Sequence, residues 1–373
     1  FILFAFRPGH QTSLYHLFSN LFFNESCIFQ QFALLLVLSC RYNEVSHFCG
    51  FCMLIFALLL LYLIWGMNWT VMKIASGYFE PELFATARFL VGFIALLPLI
   101  YFNKTHRTNF VNIIRDGLGQ NKTEQGIENS HPNNNKSIIS RLNRNSLFWI
   151  ALVGILHISY SNAVVQIAIA HLGAGVSCVL NYTMPIFVAI LSYIVLKEKF
   201  SFVKSFGIGI AFIGLFIIMN FRMEGELSMM FLALSGALSW AVANLIIKTK
   251  LGGLDKLAHT TLQLGFGTFF LIIYSCIVVK SLPIFNLTSV LCLLYNGVLA
   301  SALCFVLWSF VVAVMAPSAL AVSSMLTPLI GVLGGVVFLS ERFSSRIVLG
   351  MVLLLFGVFL VQLVVRRQKK SSV

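Results

Sequence analysis

The sequence predicts an all-α polytopic membrane protein, with ten transmembrane helices arranged as two inverted five-helix repeats. Three observations carry this. The chain is 59% hydrophobic and only 10% charged, with a mean hydropathy of +0.94, whereas soluble domains hold about 45–50% apolar and about 25% charged residues. Its apolar residues gather into ten runs of a length that can cross a bilayer core, which takes roughly 20 residues per helix. The stretch 170–219 is also written twice, recurring over 313–362 at a constant offset of 143.

The same composition excludes other classes. The net charge of +13 comes from basic residues dispersed between apolar runs, so it points to cytoplasmic loops and anionic lipid headgroups and not to a nucleic-acid-binding face. Cys178, Cys276, Cys292 and Cys304 lie inside apolar runs, where cysteine acts as a small hydrophobe. Cys49 and Cys52 have redox or metal spacing but no second pair and no histidine cluster, so neither a metal nor a cofactor is expected.

In chain order, residues 1–52 are rich in Phe without a sustained period, and their most apolar part, Phe32 to Leu38, is too short to span. They are expected to be a poorly ordered or spurious extension, with the working chain beginning near Met53. The spans then fall at about 53–76, 82–102, 147–168, 173–196, 203–221, 229–249, 257–279, 288–311, 317–339 and 346–365. With no water to satisfy backbone groups in hydrocarbon, runs of this length are helices. Between the second and third spans, 103–146 is polar, Asn-rich and basic, and reads as a disordered cytoplasmic loop. Residues 366–373 form a basic tail.

The duplication organises these spans. At the offset of 143, Ala170 pairs with Ala313, Pro185 with Pro328, Leu196 with Leu339 and Glu198 with Glu341, and Gly207 and Gly214 pair with Gly350 and Gly357. Earlier in each half the offset is 175, pairing Trp65 with Trp240, Lys73 with Lys248 and Arg88 with Gln263. The halves are therefore 53–221 and 222–365. Five spans per half is an odd number, so the second copy lies upside down and meets the first at a pseudo-two-fold axis in the membrane plane. With both termini in the cytoplasm, inside loops and tail hold 17 basic residues, and outside loops hold Arg222, Lys280, Arg342 and Arg346.

The run Leu63-Ile-Trp-Gly-Met-Asn-Trp-Thr-Val-Met-Lys73, followed by Pro81-Glu-Leu-Phe-Ala-Thr-Ala-Arg-Phe-Leu90, resembles the first two helices of EamA-type transporters of the drug/metabolite transporter superfamily. Pro185 with Leu196-Lys-Glu-Lys-Phe200, and Pro328 with Leu339-Ser-Glu-Arg-Phe343, resemble that family's repeated helix ends. The resemblance covers about 53–365 and leaves residues 1–52 and the long loop unexplained. It implies secondary export or exchange of a small metabolite, often an amino acid, through a central cavity in the inner (plasma) membrane, by a monomer or homodimer. An integral membrane enzyme or a channel is the alternative. The enzyme would need paired carboxylates or a His/Asp cluster, and an inverted duplication gives no reason for a channel.

Candidate cavity residues follow from polarity inside spans. Asn68, Asn162, Gln166, Asn181, Tyr182, Asn244 and Asn296 can bind a solute without a large desolvation penalty, or else join helices, and Gln263 is the counterpart of Arg88. Trp65, Trp240 and Trp308 are candidate stacking walls. Lys73 shares a helix face with Trp65 and Trp69, and either faces the substrate with its ammonium over indole or snorkels to the headgroups. Arg88 either faces the cavity, favouring a carboxylate or phosphate, or is an anchor ion-paired to Glu80 or Glu82. His157, His171 and His259 lack metal-ligand spacing. No acidic residue is mid-span, which argues against a carboxylate proton relay. Pro185 and Pro328 are expected as paired hinges, and Glu198 and Glu341 as caps on the short turn to the next helix.

Overall fold

The computed structural model describes residues 45–117, 145–197, 201–220, 226–314 and 323–370. The chain divides into two compact units, Phe1–Leu58 and Leu59–Val373, and the architecture below is that of the second. Its helices are α1 (Val45–Ala75), of which the part from Leu59 on belongs to this unit, α2 (Pro81–Phe102) and α3 (Lys104–Gly117), then α4 (Ser146–Leu172) and α5 (Ala174–Leu196). There follow α6 (Phe202–Asn220), α7 (Glu226–Lys250) and α8 (Lys256–Val278), α9 (Leu287–Trp308), α10 (Leu326–Leu339) and α11 (Ser345–Lys370). Among the described residues, nine of these are long and apolar enough to cross a membrane, α10 is a shorter apolar helix, and α3 is neither.

Two expectations about segments are corrected. Helix α1 begins at Val45, ahead of Met53, so residues 45–52 are helical; residues 1–44 lie outside the described residues. The stretch expected to be a disordered loop opens with α3. Asn103 Oδ1 accepts the amides of Thr105 at 3.1 Å and His106 at 3.2 Å, which caps the helix start. Phe110, Ile113 and Ile114 recur at helical spacing and pack against Ile150, Val153, Ala243 and Leu251. A 3–4 spacing was present in an otherwise polar stretch, and burial of that stripe outweighs the composition. Residues 118–144 lie outside the described residues.

The inverted repeat is visible as reciprocal contacts, because a two-fold axis requires that if i touches j of the other copy, then j touches i of the other copy. Helices α6 and α11 cross where Gly207 meets Gly357 and Gly214 meets Gly350, and at the offset of 143 each contact is the other with the halves exchanged. Glycine at these points lets the backbones touch: a Cβ on Gly214 would stand 2.6 Å from the Gly350 carbonyl oxygen, and one on Gly350 would stand 2.9 Å from that of Gly214. The same holds between α2 and α9, where a Cβ on Gly92 would meet Ser301 and the Gly297 carbonyl, and between α8 and α4, where one on Gly267 would meet Ile158 and the Gly154 carbonyl.

A third reciprocal pair lies at the helix ends. Glu80, ahead of α2, accepts the Lys280 and Ser281 amides, the latter at 2.7 Å, and the Ser281 hydroxyl. Asp255, ahead of α8 and 175 residues later, accepts the Ala258 amide at 2.8 Å as N-cap and pairs with His106 Nδ1 at 3.0 Å. His106 and Ser281 are likewise 175 apart. Burial alone would raise the Asp255 carboxyl, but hydrogen bonds from His106, the Ala258 amide and Asn109 hold it below the ordinary carboxylate range. One member of this pair thus fastens the α1–α2 turn to the α8–α9 connection, and the other fastens the α7–α8 turn to α3.

Candidate functional site

The site is built on local departures from regular helix. Helix α4 is π-helical over Gly154–Ser161 and α9 over Tyr295–Leu303, equivalent positions of the two halves. A π segment is frequent at functional sites. Here carbonyls of the two segments take side-chain donors: Leu156 O accepts Ser239 at 2.8 Å, His157 O accepts Asn162 Nδ2 at 2.6 Å, and Ala300 O accepts Trp65 Nε1 at 3.0 Å. In α5 a two-residue turn at Tyr182 and Thr183 precedes Met184–Leu196, and in the second half a turn at 324–325 precedes α10. Each turn stands just ahead of a proline, Pro185 or Pro328, whose missing N–H breaks the helical ladder there.

A cavity of about 330 Å³ lies among these elements. Of the candidate residues, Trp65, Asn68, Arg88, Asn162, Asn181, Tyr182, Pro185, Trp240, Asn244 and Trp308 line it. Trp65 and Trp308 stand with ring centroids 5.4 Å apart, and Trp240 lies on His157 at 4.8 Å. Lining residues that sequence reasoning did not single out for the cavity include Met72, Phe89, Ser161, Phe305 and Gln362. The signal for Phe89 was its place beside Arg88; nothing in the sequence marked Gln362.

Arg88 is buried, 4% exposed, and is the single formally charged residue on the described lining. Its Nη2 donates to Asn162 Oδ1 at 2.9 Å, and its Nη1 makes longer contacts of 3.4 Å to Asn296 Oδ1 and Met72 Sδ. Its Nε has no acceptor, and the guanidinium lies 4.4 Å from the Phe89 ring centroid. The ion-paired reading of Arg88 is therefore corrected: Glu80 is engaged with Ser281 and Lys280, and no carboxylate among the described residues is within ion-pair reach of Arg88. Its equivalent Gln263 instead bonds His157 Nδ1 at 2.7 Å, so the two-fold is broken at this position by a charge.

The remaining candidates lie off the lining. Asn296 backs Arg88 from behind, with its Nδ2 on Cys292 O at 3.1 Å. Gln166 ties α4 to α1 through Met72 O at 3.0 Å. Lys73 is not over indole: its Nζ donates to Ala170 O at 2.6 Å, at the end of α4. Pro328 is buried in α10.

Glu341 also differs from expectation, since it does not cap its own next helix. Ser340, the variable residue of the repeated Leu-x-Glu, ends α10 in the left-handed conformation (φ 55), as Lys197 ends α5 (φ 52). The chain turns there, and the Glu341 carboxylate reaches the other half, accepting the Ala174 amide at 2.6 Å and the Gly175 amide at 3.0 Å. These are first-turn donors of α5, left without intrahelical partners and at the positive end of the helix dipole. The sequence showed the carboxylate but not which helix start it would meet. Glu198 lies outside the described residues.

Two inverted five-helix halves that together line a cavity define a polytopic membrane protein built like a solute carrier. The chain belongs to the EamA-like transporter family, whose model matches residues 53–116, 131–220 and 227–363, and it is a membrane transporter. Its relatives include the uncharacterized transporter YoaV of Bacillus subtilis, 26% identical over 82% of this chain and 96% of the relative, and a second from that organism, YvbV, also 26% identical, over 85% and 94%. A probable amino-acid metabolite efflux pump of Salmonella typhimurium is 22% identical over 82% of this chain and 93% of its own length. A crystal structure at 15% identity superposes with a TM-score of 0.50 over 84% of this chain and 98% of that one, a likeness of fold alone.

Proposed function

We propose that the protein is a secondary transporter, an exporter or exchanger, of a small polar metabolite such as an amino acid, working by alternating access. The observation that carries this reading is the cavity lined from both halves, with tryptophans for walls and amides and one guanidinium for polarity. Such a cavity binds one small solute, and two halves related by an in-plane two-fold can rock about it to face either side in turn. The turns before Pro185 and Pro328 are the hinges in this scheme. Support for the direction and solute class comes from the Salmonella relative named as an amino-acid metabolite efflux pump. In this reading the protein sits in the inner (plasma) membrane with both termini in the cytoplasm, which places Glu80, Lys73 and Glu341 toward the outside. The test is an untargeted comparison of metabolites in cells with and without the protein. An exporter leaves a small polar metabolite enriched inside the cells that lack it; identical intracellular and medium profiles would overturn export.

A further inference from the structure

We infer that Arg88 is the substrate-binding group of the cavity, and that its ligand is a small monoanionic carboxylate with an apolar or aromatic body, favoured over the zwitterionic amino acid of the same shape. The inference rests on the carrier reading above; it keeps a small solute bearing a carboxylate and replaces the amino acid given there as the example.

The argument begins with charge. A guanidinium in the membrane interior is costly when unpaired and is expected to have a partner. Arg88 is nine-tenths buried or more, yet its partners are two neutral amide oxygens, one of them at 3.4 Å, and a thioether, and its Nε is unmatched. A guanidinium offers five N–H donors in a planar fork that fits a carboxylate. The partners that exist are held so as to position the fork without neutralising it: Asn162 is pinned by its own Nδ2 on His157 O, and Asn296 by its Nδ2 on Cys292 O. Phe89 flanks the cation and excludes water from one side.

The missing charge also sets the class of ligand. The described lining holds no Asp, Glu or Lys, so a bound monocarboxylate leaves the closed cavity neutral. A bound amino acid leaves the positive charge of its ammonium with no counter-ion, and in a low-dielectric site that residual charge weakens binding. The body of the ligand is met by Trp65, Trp240 and Trp308, which are suited to a planar or apolar group.

The test uses the full-length protein in detergent and in proteoliposomes, with 3-phenylpropanoate, phenylalanine and phenylalaninamide as probes. Expected is ligand-dependent thermal stabilisation by 3-phenylpropanoate at the lowest concentration, by phenylalanine at a higher one, and by phenylalaninamide not at all. Arg88→Gln is expected to weaken 3-phenylpropanoate by ~30-fold or more, and Arg88→Lys, which keeps the charge and loses the fork, by less. Equal binding of acid and amide, tighter binding of phenylalanine than of 3-phenylpropanoate, undiminished binding by the Gln variant, or no binding of any probe would each overturn the inference. The wild-type comparison of acid and amide needs no variant to fold. Saturable counterflow of an uncharged solute, unaltered in Arg88→Gln, would overturn this inference and leave the carrier reading intact. The expected binding pattern without counterflow of any solute would overturn the carrier reading alone.

Discussion

At the scale of single residues, Glu341 shows how one carboxylate joins the two halves. It satisfies two orphan amides of α5 while a left-handed Ser340 aims it away from its own helix. Glu341→Gln keeps an acceptor but loses the charge at the helix start and leaves one amide poorly served. It is expected to lower stability by about 0.5–2 kcal/mol, read as a lower Tm in detergent, while an unchanged Tm would show that the cap contributes nothing. The carboxylate and the repeated motif around it were legible in the sequence, because a duplication marks the residues that punctuate it. Its target was not, because Ala174 lies 167 positions away. The same limit governed Arg88: neighbours in sequence offered Glu80 and Glu82, but the fold commits Glu80 to Ser281 and brings Asn162 and Asn296 to the guanidinium instead.

At the scale of elements, helix existence was legible from apolar runs, and irregularity was legible only where a residue type forces it. Pro185 and Pro328 announced breaks. The π segments of α4 and α9 did not, since no side chain in Gly154–Ser161 or Tyr295–Leu303 dictates an extra residue per turn; the packing of the glycine faces against α8 and α2 accompanies it. Helix α3 was hidden because its apolar stripe sits in a polar, Asn-rich stretch. The crossing of α6 and α11 gives a sharp test of element packing. Gly214→Ala drives a methyl into the Gly350 carbonyl and is expected to cost about 1–3 kcal/mol, whereas at Gly209 of the same helix an added Cβ meets nothing within 4 Å. There, Gly209→Ala is expected to be neutral or to stabilise by about 0.5–1 kcal/mol from helix propensity. Equal effects of the two substitutions on Tm would refute the close crossing.

At the scale of the whole molecule, the inversion was countable from the sequence, since five spans per half allow no other orientation for a second copy. The two-fold becomes physical in three reciprocal contacts: Gly207–Gly357 with Gly214–Gly350, Gly92–Gly297 with Gly267–Gly154, and Glu80–Ser281 with Asp255–His106. The third was unread because Glu80 and Asp255 fall in turns, where a lone carboxylate says little until its partner is known. In the proposed alternating-access scheme, symmetry supplies the two equivalent halves, and its breakage at Arg88 and Gln263 leaves the described lining with one charged group. We propose that this cavity carries one solute at a time between the two faces, and counterflow in proteoliposomes checks it. Vesicles preloaded with unlabelled solute should take up the labelled solute to a transient overshoot that saturates with concentration, whereas flux that rises linearly and shows no overshoot would contradict a carrier.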